Sequence, residues 1–589
     1  MTSFKRCVLV GLICLGSLLT LFVVEDFFQF QIRDWGLRDV EVEVDSDGQR
    51  TLKYEWHIAR HTLPLDGVEK KMILVNGMFP GPTIHGKVGD RVIVNVHNDL
   101  EGEETTSVHW HGIKQRGSNA MDGAVGVTQC GIPSGDNLTY SFDLDEPGTY
   151  WWHSHVGTQR LDGMFGGLIV KGGDEHYSEI NNSYDEEVVV ILSDHYHRSG
   201  ERVLQWYLSR SSGGQEPVPS NGFINGQNVY DCERFMDTEL TCIPKVGRHA
   251  HFEFHKNKRY RVRIINASAM ANFRFSIDEH EFQVIEADSI EIEPVKAHYI
   301  PISSGQRYSA IVHTENKNRN SFFMRAEMNQ ECFNYKNEEL DPEIKGVITY
   351  KSNTFKDLLK SRESIPSSKK WEDIMSFDMC LDMDERTLQP LTHLDAPEPD
   401  QTVVVWTKIV QLHQNNLAPY AYFNRTSWAP SIGAPNLHVE LGLVNASMGP
   451  KSTKKWGGKQ MVVDIEPENV VQLIISNGDE SPHPFHLHGH DFWIVKIYEP
   501  PKGYIHGQWD PDEHHEYKTN NPIRRDTFTV PRFGHAVIRF KADNPGIWAF
   551  HCHILWHLTT GMMMQFNQNH ISEKIPQIML DQCSQMRTL

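Results

Sequence analysis

Residues 550–563 read FHCHILWHLTTGMM, and within this segment His551, Cys552, His553, His557 and Met562 fall inside twelve residues. A thiolate, imidazoles and a thioether form a donor set that favours copper, and one Cys with two His and a distant Met describes an electron-transfer site of the blue-copper kind. One His is missing from that set, and His483 in SPHPFHLHGH is placed to supply it. If the segment is a strand, side chains alternate faces, so His551 and His553 point one way and Cys552 the other. A one-copper site on the Cys face then stands back to back with whatever the two His bind.

Three further H-x-H pairs suggest what that is: His109 and His111 in VHWHG, His153 and His155 in WWHSHV, and His486 and His488 in PFHLHGH. On a strand each pair sets two imidazoles on one face. The four pairs together give eight imidazoles, too many for one ion and suited to a cluster of three. A single H-x-H in a chain of 32 His would carry little. Four of them, each beside aromatic or Gly residues and one interleaved with the Cys, carry much more.

The order HWHG, HSH, HPFHLHGH and HCHxxxHxxxxM resembles the multicopper oxidases, the family of laccases, ascorbate oxidases and ferroxidases, over roughly residues 50 to 585. The resemblance implies an electron-entry copper held by His483, Cys552 and His557 with Met562 axial. It gives the single copper of a trinuclear cluster to His109 and His486. The paired coppers fall to His111, His153, His155, His488, His551 and His553. It further implies four copper ions in all, one-electron oxidation of a reducing substrate, and reduction of dioxygen to water at the cluster.

Organisation supports this reading through internal repetition. DEPGTYWWHSHV, from Asp145, matches DNPGIWAFHCHI, from Asp543, with Ser154 standing where Cys552 stands. The first unit thus keeps cluster ligands and lacks the blue-copper Cys. A degenerate copy, FSIDEHEFQVI from Phe275, aligns with FHLHGHDFWIV from Phe485 but carries Ser276 and Asp278 in place of His486 and His488. Repeats rich in Val, Ile, Tyr and Phe alternation and punctuated by Gly, Pro and Asn-Gly turns predict an all-β chain of three cupredoxin-like β-sandwiches. They are placed at 45–175, 183–350 and 400–570, with a linker at 351–399 and a tail at 571–589. The cluster ligands come from the first and last units, so the cluster is expected at their interface, with the middle unit as spacer and part of the substrate wall.

Lys5 and Arg6 precede an apolar run, residues 7–24, followed by Glu25 and Asp26. The run lacks a small-x-small cleavage site and reads as a signal anchor, with a cleaved signal peptide as the alternative, within segment 1–26. Either places the catalytic units in a lumen or outside the cell, with the membrane touched only through this segment. Setting aside Cys7, Cys14 and Cys552 leaves six Cys, enough for three disulfides in an oxidising compartment. The family resemblance pairs Cys130 with Cys583; proximity suggests Cys232 with Cys242 and Cys332 with Cys380. Sequons at Asn137, Asn181, Asn266, Asn424 and Asn445 suggest glycans. A formal charge of −20 argues against nucleic acid as a partner and says little about substrate.

Two acids are candidates for catalysis. Asp194, in LSDHYH, resembles the family position at which an acid meets the substrate, where it would accept a phenol proton or bind a ferrous ion. Asp122, in the MDG after the HWH strand, matches the family's acid beside the single cluster copper and is expected to help deliver protons. A second acid common just after the blue-site Cys is absent, Leu555 and Leu558 flanking His557 instead. Trp428 is expected where ferroxidases carry a Tyr near the iron path, which favours an aromatic substrate over Fe²⁺. The chain is accordingly expected to be a laccase-like oxidase of phenolic or aromatic substrates, with O₂ as acceptor, such as pigment or secondary-metabolite precursors. A ferroxidase for iron uptake is the first alternative, and a non-catalytic copper-storage protein a lower one.

Overall fold

The structure is a computed structural model describing residues 40–173, 183–315, 319–351, 366–372, 380, 382–444, 456 and 458–587. The apolar run of residues 7–24, Asn181 and Asn445 lie outside the described residues. Among the described residues no helix is long and apolar enough to cross a membrane.

The strands of the described residues form six sheets, two for each of three consecutive units. In the first unit both sheets contribute to one core, in which Trp56 packs against Trp110 and Trp152 with ring centroids 5.8 and 4.5 Å apart. The larger sheets of the second and third units repeat one order. In the second it runs Asn221–Ile224, Glu186–His195, Arg259–Asn266, Arg307–His313, Phe282–Ala287, Ile290–Ala297. In the third it runs Pro419–Phe423, Gln401–Gln411, Val470–Asn477, His535–Lys541, Phe492–Tyr498, Arg524–Arg525. In each, the second and third strands of the order pair parallel and the others antiparallel.

A bulge recurs as well, between Val284 and Glu286 in one unit and Ile494 and Lys496 in the other, the positions that coincide when Phe275 is set on Phe485. The repeat read from sequence is therefore a structural repeat, down to the place where the strand is bent. In the degenerate copy Asp278 is not a ligand. It makes a buried two-point ion pair with Arg325 on the neighbouring strand, at 2.8 and 2.9 Å.

All three expected disulfides form: Cys130–Cys583, Cys232–Cys242 and Cys332–Cys380. Among the sequons, Asn266 cannot carry a glycan. Its side chain is buried, and its amide donates to Ala271 O at 2.8 Å and Ile302 O at 2.9 Å, bracing the turn after its strand.

The Cys130–Cys583 bond joins the first unit to the C-terminal helix Gln577–Met586 across 453 residues. Closing so long a loop removes much unfolded-state entropy. The double variant Cys130→Ser/Cys583→Ser is expected to lose about 2–5 kcal/mol, read as a lower thermal midpoint and faster proteolysis of the C-terminal helix. An unchanged midpoint with an intact helix would show that packing alone holds it.

Candidate metal centre

The pairing register places the metal ligands. Strand His109–His111 runs beside Gly148–His153 with His109 opposite His153 and Trp110 opposite Trp152. Strand His483–Leu487 runs beside Gly546–Cys552 with His486 opposite His551 and Phe485 opposite Cys552. Alternation buries Trp110 in the core and leaves His109 and His111 on the other face. It likewise buries Cys552 in the apolar core and turns His551 and His553 toward the other imidazoles. Rings from the first unit lie on rings from the third: His111 stacks on His486 at 3.7 Å between centroids and His109 on His488 at 3.9 Å.

Six of the clustered rings are held by one nitrogen. His109 Nδ1 meets Asp122 O at 2.8 Å, His153 Nδ1 meets Ser154 O at 2.9 Å, and His551 Nδ1 meets Cys552 O at 2.9 Å. His486 Nδ1 meets Asp526 O at 2.9 Å, and His488 Nδ1 meets the Asp122 carboxylate at 2.8 Å. His111 uses Nε2, 3.0 Å from Thr527 Oγ1 and 3.3 Å from Asp526 Oδ1. The other edges converge: the second nitrogens of His109, His111, His153 and His486 are buried without a hydrogen-bond partner. His488 Nε2 and His155 Nε2 lie 3.1 and 3.4 Å from His551 Nε2. Orphaned, inward-facing nitrogens on rings fixed from outside are what a bound metal requires. Burial also holds His111, His153, His155, His551 and His553 well below the ordinary imidazole range, so they present neutral donors.

Sequence reading missed several of the groups that support these rings. Arg160 donates to the His553 carbonyl at 2.9 Å and lies against the ring, its Nη1 2.8 Å from Nδ1 and 3.1 Å from Nε2. Arg307, from the middle unit, grips Asp526 at 2.7 and 2.5 Å and so fixes the acid behind His111 and His486. Asp122 itself needs Gly123: at φ +84° that residue passes so close to the HWH strand that a Cβ would meet Val108 O at 1.9 Å.

On the opposite face Cys552 Sγ lies 3.2 Å from His557 Nδ1 and 3.7 Å from His483 Nδ1, with the two Nδ1 atoms 2.9 Å apart. Met562 is fully buried, its N–H donating to His557 O at 2.9 Å and its carbonyl accepting from Cys552 N at 3.1 Å. Burial alone would raise the Cys552 thiol, but the adjoining His557 and His483 bring it down to about 7, toward the thiolate a metal needs. The outward nitrogens of both imidazoles meet carboxylates. Glu216 Oε1 is 2.6 Å from His557 Nε2, and Asp479 Oδ2 is 3.1 Å from His483 Nε2. Asp479 stands four residues before His483 and could have been noticed there; Glu216, 341 residues from His557, could not.

Two residues expected on the substrate side, Asp194 and Trp428, lie in different surroundings. Asp194 is buried and accepts backbone N–H bonds from Ala269, Met270 and Ala271 at 2.8, 2.8 and 3.1 Å. It caps a turn whose Ala269 carbonyl accepts from Leu555 N, and so helps seat the short helix Leu555–Thr559 that carries His557. The Asp194 carboxylate thus braces the turn on which the His557 helix is seated. Trp428 lines a cavity of about 490 Å³ that reaches His153, His155 and His551, together with Leu555 and Leu558. The cavity thus runs between the clustered imidazoles and the short helix that carries His557.

Sequence comparison agrees with this geometry. Multicopper oxidase family models match residues 57–175, 186–352 and 433–571. An iron transport multicopper oxidase of Gibberella zeae is 34% identical over 527 residues, 88% of this chain and 77% of that protein. Laccase-1 of Cryptococcus neoformans var. grubii is 32% identical over 88% of this chain and 80% of its own length. Among solved structures, Fet3p, a multicopper oxidase that functions in iron import, superimposes with a TM-score of 0.78 at 28% identity, over 91% of this chain and 95% of that one. The laccase from Botrytis aclada gives 0.77 at 30% identity, over 91% of each chain. The chain belongs to the multicopper oxidase family. It is thus an oxidoreductase of the copper-dependent kind, with cupredoxin-fold units, four copper ions and O₂ as acceptor.

Asp122 lies behind both His109 and His488, so Asp122→Asn is expected to weaken copper retention among the clustered imidazoles about 10–100-fold. Copper analysis and oxygen uptake would fall together while the blue absorption of the Cys552 site persists. Loss of the blue band with full oxygen uptake would contradict this division of the ligands.

Proposed function

We propose that this chain oxidises ferrous iron, with phenol oxidation as the second reading. The observation that carries the proposal is the pair of carboxylates on the outer nitrogens of both Cys-side imidazoles, Glu216 on His557 and Asp479 on His483. A recess of about 220 Å³ that reaches Pro482, the neighbour of His483 in sequence, is lined by Glu331, Glu480, Glu499, Asn334 and Arg532. Hard oxygen donors suit a divalent iron substrate, whereas pockets for organic rings are mostly apolar. The first expectation of a phenol substrate rested on Asp194 and Trp428, and neither residue lines this recess.

In this reading His483, Cys552 and His557, with Met562, hold the electron-entry copper. His109 and His486 hold the single cluster copper, and His111, His153, His155, His488, His551 and His553 the pair. Bound copper supplies the one-electron acceptor at the first site and the four-electron reduction of dioxygen at the second. Glu216 Oε2 is buried without a hydrogen-bond partner, which leaves its lone pairs uncommitted for an iron ion or, for a phenol, the proton. Asp479 stays ionised: burial opposes its charge, but the His483 contact, the Ile409 N–H shared between its two oxygens and nearby Lys408 hold it below the usual carboxylate range. Asp122, held ionised by His488 and His109 against its burial, is the acid nearest the clustered rings and the candidate for passing protons there. The three disulfides support folding in a secretory lumen or outside the cell.

Two conservative variants separate iron from phenol. Asp479→Asn and Glu216→Gln are expected to lower kcat/KM for Fe²⁺ at least about tenfold each, ~1.4 kcal/mol. A proton-independent dye should remain nearly unaffected. Steady-state oxygen uptake with iron, one phenol and the dye reads this out. If Glu216→Gln depresses phenol turnover alone and Asp479→Asn does nothing, the phenol reading replaces the iron one.

A further inference from the structure

Outside the residues given to copper, one more set of metal-type ligands is buried where the first unit meets the second. Asp66 lies between strands Arg50–Leu63 and Lys70–Val75, while His195 closes strand Glu186–His195 and His197 follows it. One donor atom from each of the three lies within 4.8 Å of the others, the same convergence shown by the copper sets. Each residue is only 2% exposed.

The carboxylate is oriented as a ligand is oriented. Asp66 Oδ1 accepts from Val68 N at 3.1 Å, and Oδ2 accepts from Asn221 Nδ2 at 2.9 Å, with Asn221 braced by Asn228 at 2.8 Å. Oδ2 also stands 3.1 Å from His197 Nε2. That spacing suits two donors on one ion, since bonds of ~2.0–2.1 Å give a tetrahedral edge of about 3.3 Å. An Asp–His hydrogen bond would account for those two residues by themselves.

It leaves His195 unexplained. Its Nε2 is buried without a partner, as is His197 Nδ1, and uncompensated burial of such an atom costs about 1–3 kcal/mol. The rings are walled by Phe223 against His195 and Tyr230 against His197, both at 4.6 Å between centroids. Burial keeps His195 neutral, well below its ordinary range. The nearest cation, Lys70, is committed to Asp162 at 3.0 Å and Leu161 O at 3.2 Å.

We propose that Asp66, His195 and His197 bind a divalent cation of the borderline class, Zn²⁺ or Cu²⁺, as a fifth metal ion bridging the first and second units. Two imidazole nitrogens and one carboxylate oxygen suit either ion, with the fourth position left to water. Its part is structural, since the site joins a loop of one unit to a strand end of another.

The test uses the full copper-loaded chain. Crystals equilibrated with Zn²⁺ are measured for anomalous scattering at the zinc and copper absorption edges. A peak among the three side chains at either edge is expected, and the edge identifies the ion. Metal analysis should give about five ions per chain, against about four in His195→Phe and Asp66→Asn, both keeping the blue absorption and oxygen uptake. Four ions in the unaltered protein with no peak at either edge would overturn the proposal. The diffraction result stands even where a variant fails to fold.

Discussion

The metal centre depends on fixing one nitrogen of most of its imidazoles so that the other is turned inward. A buried ring without a partner is costly, and a freely turning ring is a poor ligand. The fold meets both demands by setting carbonyls or carboxylates behind the rings and pointing their free edges at one another. The acids behind these rings, Asp122 and Asp526, are themselves pinned, Asp122 by the Gly123 turn and Asp526 by Arg307. The middle unit has no ligand in the copper groups, yet it supplies Arg307 and Ser304, the latter 3.0 Å from His553 Nδ1. It is therefore a structural partner of the cluster rather than a spacer.

What was legible in the sequence was local. Strand alternation converts H-x-H and HCH directly into faces, so the back-to-back arrangement follows from spacing, while the division of ligands among the coppers is what the family resemblance implies. The repeat was legible for the same reason: the bulge at Val284 recurs at Ile494 because the two segments share a pattern of apolar and turn residues. Groups that act across the fold left no such trace. Glu216 lies in a loop, GGQEPVPS, with nothing around it to connect it with His557. Arg307 and Asp526 are 219 residues apart and meet only when two sheets pack.

Asp194 shows how a motif misleads. LSDHYH placed an acid in a familiar setting, and the chemistry of a carboxylate near an electron-entry site was attached to it. Three backbone N–H groups of a turn claim its oxygens instead, and the acids that do touch the blue-site imidazoles come from elsewhere. The neighbouring His195 and His197 then become interpretable in their own right, as part of a contact between units.

The division of ligands between first and last units bears on how the protein is made. A ribosome releases His109, His111, His153 and His155 more than three hundred residues before His483 appears. During that interval the first unit folds with half a cluster, its imidazole edges open and facing no partner. Domains fold as they emerge, so the complete centre can close only after synthesis of the third unit. Copper retention by the full set of rings is thus a report on completed translation: a chain stopped early offers only its exposed half-site.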